Sequence, residues 1–304
     1  KHLRFKKIKV VFFMTGQQPL INQLSIINKL KYCFIFILND PFKFFIKIYG
    51  IIYSILSSLI KIKKSYNLID LLIVGGSHWS NDRKIINDNV TIIKAHAFDY
   101  DRYIEENNKD IINNKKNNHN FSVFLDEDMP FHPDYDLLNI KPYCLSKSYY
   151  NRINSFFDDY EKKTGHQIII AACPRTDYKL RDNPYNNRKI ISNNSINLVK
   201  KSQHVLAHMS TSINFAILYK KPIIFINSNN YDFVLNNSIK ILSNLIGGKY
   251  ININKELPSS YNKITVNDKQ YKMYKEKYIK EPNTPERFTW DIFCDYLDKI
   301  NKFY

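Results

Sequence analysis

The sequence is poor in glycine and cysteine, and the cysteine pattern excludes two kinds of site. Its 304 residues include only 7 glycines and 4 cysteines. The cysteines Cys33, Cys144, Cys173 and Cys294 lie far apart without a CxxC pair, so neither a zinc site nor a disulfide framework is indicated. This usage favours a reducing, cytoplasmic setting. The chain begins with Lys1 and not with an initiating methionine, so the sequence leaves open whether a signal peptide precedes it.

The sequence also lacks an uninterrupted apolar run long enough to span a membrane. Residues 42–60 are nearly all apolar, but Lys43 and Lys47 interrupt them, and three lysines follow within residues 61–64. A spanning helix needs about 20 apolar residues, and a lysine inside so short a run opposes insertion. Two interpretations remain: a buried helix of an N-terminal domain, or an amphipathic helix by which residues 42–64 contact the inner face of the plasma membrane.

Acidic residues are in the minority, which points to an anionic partner. Lysine and arginine total 45 against 28 aspartates and glutamates, a formal net charge of +17. Nucleic acid, a phospholipid surface and a phosphorylated substrate would all fit such a charge. The basic residues are scattered along the chain, and no basic stripe or aromatic RNA-binding motif accompanies them. This pattern makes nucleic acid the least favoured of the three partners.

Apolar runs of strand length alternate with helical stretches, which predicts parallel sheets with both faces covered. Polar residues dominate 105–120, which we interpret as an exposed linker between two α/β domains. Ligands of such domains bind at the carboxyl ends of the strands. The predicted strands are 8–14, 32–38, 70–74, 90–94, 121–125, 167–172, 204–208 and 222–226; the predicted helices are 19–30, 149–163, 194–202, 212–219, 231–245 and 287–303.

Polar clusters follow three of the predicted strands. Asp126, Glu127 and Asp128 come directly after strand 121–125. Mutual repulsion within such a run can keep one carboxyl partly protonated, which suits acid or base catalysis. A solvated turn is the alternative. Nearby, His132 is either a donor to phosphate or an ordinary loop histidine.

The second cluster is Pro174 and Arg175, after strand 167–172. An arginine at a strand end can bind phosphate through two parallel hydrogen bonds, whereas an ion pair with Asp177 is the alternative.

The third cluster combines His208 with the hydroxyl residues Ser210, Thr211 and Ser212 at a predicted helix start. One such residue would suffice as a helix cap. Three in succession, together with the free N–H groups and the helix dipole, indicate a phosphate-binding turn.

A family resemblance extends over residues 121–228, with a weaker echo at residues 99–101. It is carried in order by LDEDMPFHPDY, YYNRINSFFDDYEKKTG, QIIIAACPR, Arg188 and INLVKKSQHVLAHMSTSINFAILYKKPIIFI. These segments resemble bacterial surface-polysaccharide glycosyltransferases of the GT-B fold. They are similar to the CMP-sugar-dependent enzymes that transfer sialic acid, pseudaminic acid or Kdo.

The resemblance implies an α/β fold of two Rossmann-like domains facing a cleft. The acceptor domain would comprise residues 1–115, the donor domain residues 116–285, and a C-terminal helix residues 286–304, which could pack back on the N-terminal domain. The implied reaction is metal-independent and needs no cofactor. It transfers a nonulosonic-type sugar (sialic, pseudaminic, legionaminic or Kdo) from CMP to a surface glycan during capsule or lipopolysaccharide synthesis.

The resemblance also assigns roles to residues. In such enzymes a His-Pro motif and a Ser/Thr pair hold the nucleotide; here Cys173 stands where the histidine is expected. This departure leaves a catalytically silent nucleotide- or glycan-binding protein as an alternative, beside a transferase that uses a UDP- or GDP-sugar. The predicted site residues are Asp126, Glu127, Asp128, Asp99 and His132 for catalysis; Pro174, Arg175, Arg188, His208, Ser210, Thr211 and Ser212 for donor binding; and Gly75, Gly76 and Ser77 on the acceptor side.

Overall fold

The structure of the protein is a computed structural model that describes residues 9–16, 49, 69–78, 90–113, 120–255 and 264–301. The chain divides into two compact units, one of residues 1–13, 19–72 and 80–93 and one of residues 14–18, 73–79 and 94–304. A three-stranded sheet has the order β1-β2-β3. Its strands are β1 (Val11–Met14), β2 (Leu71–Gly75) and β3 (Thr91–Ala95).

A six-stranded sheet forms the centre of the second unit, and its five strand pairings are all parallel. All residues of its strands β4, β7 and β8 are buried, as expected for a parallel sheet covered on both faces. The strands are β4 (Phe121–Leu125), β5 (Gln167–Ala171), β6 (Ile190–Ile191), β7 (Val205–Ala207), β8 (Ile223–Asn227) and β9 (Lys249–Asn252).

The strand order of this sheet locates its ligand crevice. The order is β6-β5-β4-β7-β8-β9, so numbering from β4 as the first strand gives 3-2-1-4-5-6, the order of a dinucleotide-binding sheet. The direction of winding reverses between β4 and β7. Loops leave the carboxyl ends of these two strands toward opposite faces, and the gap between them is where such sheets bind ligands.

The helices cover the sheet and connect its strands. They are α1 (Phe98–Asn113), α2 (Asp134–Leu138), α3 (Ser146–Thr164), α4 (Ser195–Lys201), α5 (Ile213–Leu218), α6 (Phe233–Ile246), α7 (Asp268–Tyr274) and α8 (Thr289–Asn301). Helix α3 buries Ile153, Phe157 and Tyr160, and Phe124 of β4 packs edge-on against Phe157 with ring centroids 5.2 Å apart.

The α/β class predicted from the sequence is confirmed, and so are the strand and helix positions within residues 121–246, to within a few residues. The elements β6, β9, α2 and α7 were not predicted. The predicted segments 19–30, 32–38 and, apart from Tyr49, 42–64 lie outside the described residues. The domain boundaries at residues 115 and 285 stay predictions. Within the described part of the chain, no helix combines the length and the apolar character that crossing a membrane requires.

The predicted exposed linker at residues 105–120 is wrong over its first part. Residues 105–113 continue helix α1, because aromatic side chains hold that helix in place. Tyr103 stacks against Tyr219, which follows α5, with ring centroids 5.0 Å apart. The polar run 105–110 therefore belongs to a helix here, not to a linker.

The glycines at the end of β2 allow two backbone segments to approach closely. A Cβ on Gly75 would lie 2.6 Å from the amide nitrogen of Ala97. Gly76 has a φ of +73°, and a Cβ there would collide with the carbonyl oxygen of Lys277. Both glycines are buried, so their predicted place on an acceptor surface is wrong, whereas Ser77 is exposed and donates its N–H to the Glu276 carbonyl at 3.1 Å.

Gly76→Ala is expected to destabilise the protein by about 3 kcal/mol or more, because a left-handed backbone and a steric collision add together. Gly165→Ala is the matched control: its φ is +72°, with nothing within 4 Å of the added Cβ. It carries the backbone cost alone, about 1–2 kcal/mol. Urea unfolding of both variants measures the difference, and equal losses would contradict the close approach to Lys277.

Candidate active site at the carboxyl edge of the six-stranded sheet

The three polar clusters predicted from the sequence meet at the carboxyl edge of the sheet. Strand β4 lies between β5 and β7, so the residues that follow these strands are neighbours. The Cys173 N–H, after β5, points at Oδ2 of Asp126 at 3.4 Å. The Met209 N–H, after β7, donates to Oε1 of Glu127 at 2.7 Å. The carboxylates of Asp126 and Glu127, which directly follow β4, thus bond the loops that follow β5 and β7.

Asp126 is a structural carboxylate. It is 4% exposed, and its Oδ1 accepts from the Asp128 N–H at 2.8 Å and the Tyr185 hydroxyl at 2.7 Å. Oδ2 accepts from the Tyr178 hydroxyl in addition to the Cys173 N–H. Burial raises the pKa of Asp126 despite these donors. Four protein donors thus occupy both oxygens of Asp126, and its catalytic role stays a prediction.

Asp128 is the buried half of an ion pair. Its Oδ1 accepts from Nη2 of Arg181 at 2.6 Å and from the Tyr150 hydroxyl at 3.1 Å, while Oδ2 accepts from the Thr176 hydroxyl at 2.9 Å. The guanidinium of Arg181 lies 4.5 Å from the ring centroid of Tyr178. Both oxygens of Asp128 are thus engaged within the protein, and its role in catalysis stays a prediction.

His132 and Arg175 form a surface cluster with Asp134. Nη1 of Arg175 donates to Oδ1 of Asp134 at 2.6 Å, so Asp134, not Asp177, is its carboxylate partner. Nη2 lies 2.8 Å from Nε2 of His132. Nδ1 in turn lies 3.3 Å from the backbone nitrogen of Asp134, so a donor faces each ring nitrogen. Burial, and then the charge of Arg175, lower the pKa of His132, so the ring is neutral at pH 7.

Arg175 keeps access to solvent, whereas Cys173 does not. The Arg175 side chain is 53% exposed, and Pro174 is exposed beside it. Cys173 is buried, and burial raises the pKa of its thiol. The residue at the expected histidine position is therefore a protonated, inward-facing thiol, and Arg175 is the group of this loop that can reach a ligand.

Glu127 is the carboxyl group best placed for proton transfer. It lies partly buried at the gap between β4 and β7, where its carboxylate accepts the N–H groups of Met209 and Ser210. Burial raises its pKa from 4.5 to about 7. Such a group exchanges its proton near neutral pH, as a general acid or base must.

An unsatisfied hydroxyl lies close to this carboxylate. Tyr231 is 6% exposed, and its hydroxyl has no hydrogen-bond partner among the residues that the structure describes. Burial, the neighbouring Cys144 and then the charge of Glu127 raise the pKa of Tyr231. A buried polar atom without a partner is rare, and near a carboxyl of shifted pKa it marks a functional site.

His208 is a core histidine. It is fully buried, and its Nδ1 lies 2.8 Å from the carbonyl oxygen of Ile226, so Nδ1 carries the hydrogen. Nε2 then accepts from the Tyr149 hydroxyl at 3.1 Å. Burial lowers the pKa of His208 to about 4. Both nitrogens are engaged and the ring is neutral, so His208 has no free nitrogen for a phosphate in this structure, and the donor-binding role stays a prediction.

The hydroxyl-rich turn lies between His208 and α5 at the surface of this edge. Thr211 is exposed and both serines are partly exposed. The Ser212 N–H faces the Ser210 hydroxyl at 3.3 Å. The N–H groups at the beginning of the turn hold the carboxylate of Glu127. The turn therefore already receives one anionic group, supplied by the protein itself.

Asp99, predicted from the sequence as a catalytic candidate, also reaches this region. It lies in the first turn of α1, and its Oδ2 accepts from Nδ2 of Asn214 at 2.8 Å. Asn214 is two residues beyond Ser212, in α5. Burial raises the pKa of Asp99. The turn is thus bonded to Glu127 at its beginning, and the helix that follows it is bonded to Asp99.

Arg188 does not belong to this site. It precedes β6, at the amino edge of the sheet, where Nη2 donates to Glu161 at 2.7 Å and to Asp158 at 2.5 Å. A groove of about 540 Å³ lies there, lined by these three residues together with Gly165 and Asn186. The acidic groups of the groove already pair with the arginine in this structure, and the role of Arg188 in donor binding stays a prediction.

The structure adds residues to the site that the sequence did not identify. Tyr178 and Tyr185 hold Asp126, Arg181 neutralises Asp128, and Asn214 bonds Asp99. The spacing of Tyr178 and Arg181, three residues apart around the short 3₁₀ helix Tyr178–Leu180, is the one signal that could have suggested a shared role.

Comparison with known proteins returns distant structural likenesses only. Neither a protein-family model nor a curated protein matches the sequence. The calicheamicin glycosyltransferase CalG4 is 9% identical, with a TM-score of 0.47, and the match covers 98% of this chain and 72% of that one. The glycotransferase of kitacinnamycin is 8% identical, with a TM-score of 0.43 over 98% and 72% of the two chains. UDP-GlcNAc 2-epimerase of Methanocaldococcus jannaschii is 16% identical, with a TM-score of 0.40 over 76% and 61%. Likenesses at this level assign neither a family nor an activity.

Asp126→Asn is expected to destabilise the protein by about 1–3 kcal/mol, because the amide turns an N–H toward donors that then lose their acceptor. Urea unfolding measures this loss. Asp134→Asn is the control, since Asp134 makes a solvent-exposed pair with Arg175 and its loss changes stability little. An Asp126→Asn protein as stable as the control would show that the four donors do not depend on this carboxylate.

Proposed function

We propose that the protein is a glycosyltransferase that uses a nucleotide-activated sugar. One observation carries the proposal: at the gap between β4 and β7, where a sheet of this strand order binds ligands, Glu127 with a pKa of about 7 bonds the hydroxyl-rich turn. Transfer of a sugar from its phosphate requires two parts, a group that exchanges a proton and a turn that receives an anion. The arrangement provides both within hydrogen-bonding contact.

The finer proposal is that the donor is a CMP-activated acidic sugar of the sialic, pseudaminic, legionaminic or Kdo type. It is supported by the resemblance of residues 121–228 to enzymes with such donors. It is also supported by the net charge of +17, since CMP, an acidic sugar and a phosphate-bearing lipid-linked glycan acceptor are all anionic. Residues 42–64 would then hold the enzyme at the inner face of the plasma membrane.

In the proposed reaction Glu127 is the general base. The acceptor hydroxyl loses its proton to Glu127 as its oxygen bonds to the anomeric carbon of the donor. The bond between that carbon and the phosphate oxygen breaks, and CMP leaves with the electron pair. Negative charge grows on the departing phosphate, where the hydroxyls of Ser210, Thr211 and Ser212 and the guanidinium of Arg175 stabilise it. No step requires a metal ion.

A panel of CMP-, UDP- and GDP-activated sugars, offered with glycan acceptors, is expected to give release of CMP and a product heavier by one acidic sugar. Nucleotide release and product mass measure the outcome. Release of UDP or GDP instead of CMP would identify a different donor and leave the proposed reaction, glycosyl transfer, unchanged. Nucleotide binding without release from any donor would identify a silent binding protein, and a lack of nucleotide binding would refute the proposed function.

The rate of transfer is expected to rise with pH, with a midpoint near pH 7, because a base works in its deprotonated form and burial raises the pKa of Glu127 to about 7. Glu127→Gln should lower kcat by about 10² to 10⁴ and remove this limb of the pH profile. Glu105→Gln is the matched control, since Glu105 is an exposed α1 residue paired with Lys109. An unchanged profile in Glu127→Gln would exclude this base.

A further inference from the structure

A second polar cluster lies beside the turn and is formed by residues of three separate helices. Asp99 belongs to α1, Asn214 to α5 and Tyr274 to the end of α7. Asn214 donates its amide hydrogen to Asp99 at 2.8 Å. The charge of Asp99 also acts on Tyr274, whose pKa is raised first by burial, then by Tyr278 and by Asp99. The proposed mechanism uses none of the three.

Two atoms of this cluster are buried without a hydrogen-bond partner. Asn214 is 4% exposed and Tyr274 is 1% exposed. Neither Oδ1 of Asn214 nor the Tyr274 hydroxyl has a hydrogen-bond partner among the residues that the structure describes. Leaving one such atom unsatisfied costs about 1–3 kcal/mol. Two unsatisfied atoms on side chains that both act on one carboxylate indicate that the cluster receives a polar group from outside the protein.

The backbone next to Tyr274 is unusual. A π-helix follows directly, at Lys275–Ile279, and π-helical turns occur frequently at functional sites. The Lys277 carbonyl of this π-helix packs against Gly76, which directly follows β2. The Tyr278 ring lies 4.8 Å from that of Tyr274. The Tyr274 hydroxyl nevertheless has no hydrogen-bond partner among the residues that the structure describes.

The donor and acceptor set selects the ligand group. The amide oxygen and the Asp99 carboxylate accept hydrogen bonds, and the tyrosine hydroxyl both donates and accepts. A phosphate or carboxylate of a ligand would only accept, and the charge of Asp99 would repel it. A sugar hydroxyl donates one hydrogen bond and accepts others, so its chemistry matches both kinds of orphan atom.

We infer that Asp99, Asn214 and Tyr274 recognise a hydroxyl group on the sugar part of the nucleotide sugar. The inference rests on the proposed function and adds the group that distinguishes the sugar nucleotide from the nucleotide alone. Because Asn214 is two residues beyond the turn that binds the phosphate, the sugar attached to that phosphate extends toward this cluster.

The test is calorimetric titration of the wild-type protein and of Tyr274→Phe with CMP, UDP and GDP and with the corresponding sugar nucleotides. The sugar nucleotide is expected to bind wild type more tightly than its nucleotide, and Tyr274→Phe is expected to reduce this gain about three- to tenfold. The Kd of the nucleotide alone stays unchanged. Urea unfolding should show no loss of stability, because the removed hydroxyl has no hydrogen-bond partner in the described part of the chain.

Tyr271→Phe is the matched control on the same helix. The Tyr271 hydroxyl donates to the Lys221 carbonyl at 2.7 Å, so this variant loses stability and keeps the full gain from the sugar. A gain that Tyr274→Phe leaves intact overturns the inference. So does a loss of stability in Tyr274→Phe with unchanged affinities, since an internal water would then be the partner of the hydroxyl.

If no nucleotide binds wild type, the proposed function fails, and free sugars decide the inference separately. Thermal shifts with N-acetylneuraminate, N-acetylglucosamine and galactose, measured on wild type and Tyr274→Phe, are then compared. A shift that is smaller in Tyr274→Phe supports hydroxyl recognition by the cluster. Equal shifts, or none in wild type, overturn it.

Discussion

The carboxyl edge of the six-stranded sheet depends on two consecutive carboxylates that bond in opposite directions. Asp126 accepts hydrogen bonds from the loop after β5, and Glu127 accepts hydrogen bonds from the N–H groups of the turn after β7. Strand β4 lies between β5 and β7, so the two carboxylates bond the loops on either side of β4, at the point where the winding of the sheet reverses. Loss of either bond set would free one loop from the strand that positions it.

Burial divides the work between these two acids. Asp126 is surrounded by hydroxyl and N–H donors and serves as a cross-link. Glu127 bonds backbone amides only and has a pKa of about 7, so protonation competes with its hold on the turn. A carboxylate that is bonded to this turn and has a pKa of about 7 can weaken its bonds to the turn by taking up a proton.

Aromatic side chains supply most of the support behind the site. Tyr149, Tyr185 and Phe124 pack around His208 and β4, and the tyrosine hydroxyls satisfy buried acids and the histidine. Each ring contributes apolar area, and its hydroxyl contributes a donor. This combination explains how a sheet edge with several ionisable groups stays buried without a metal ion or a disulfide among the described residues.

The sequence by itself determined the α/β class, the strands and helices of residues 121–246 and the grouping of polar residues at strand ends, because periodicity and chain order are local properties. It did not distinguish Glu127 from its neighbours Asp126 and Asp128, since side chains adjacent in the chain point in different directions once the strand ends. His208 and Arg188 have side chains of a kind that binds phosphate. The His208 ring is buried, however, and the Arg188 guanidinium lies at the opposite edge of the sheet. Only the tertiary structure decided these roles, because burial, hydrogen-bond partners and the pKa values that follow from them depend on residues far away in the chain.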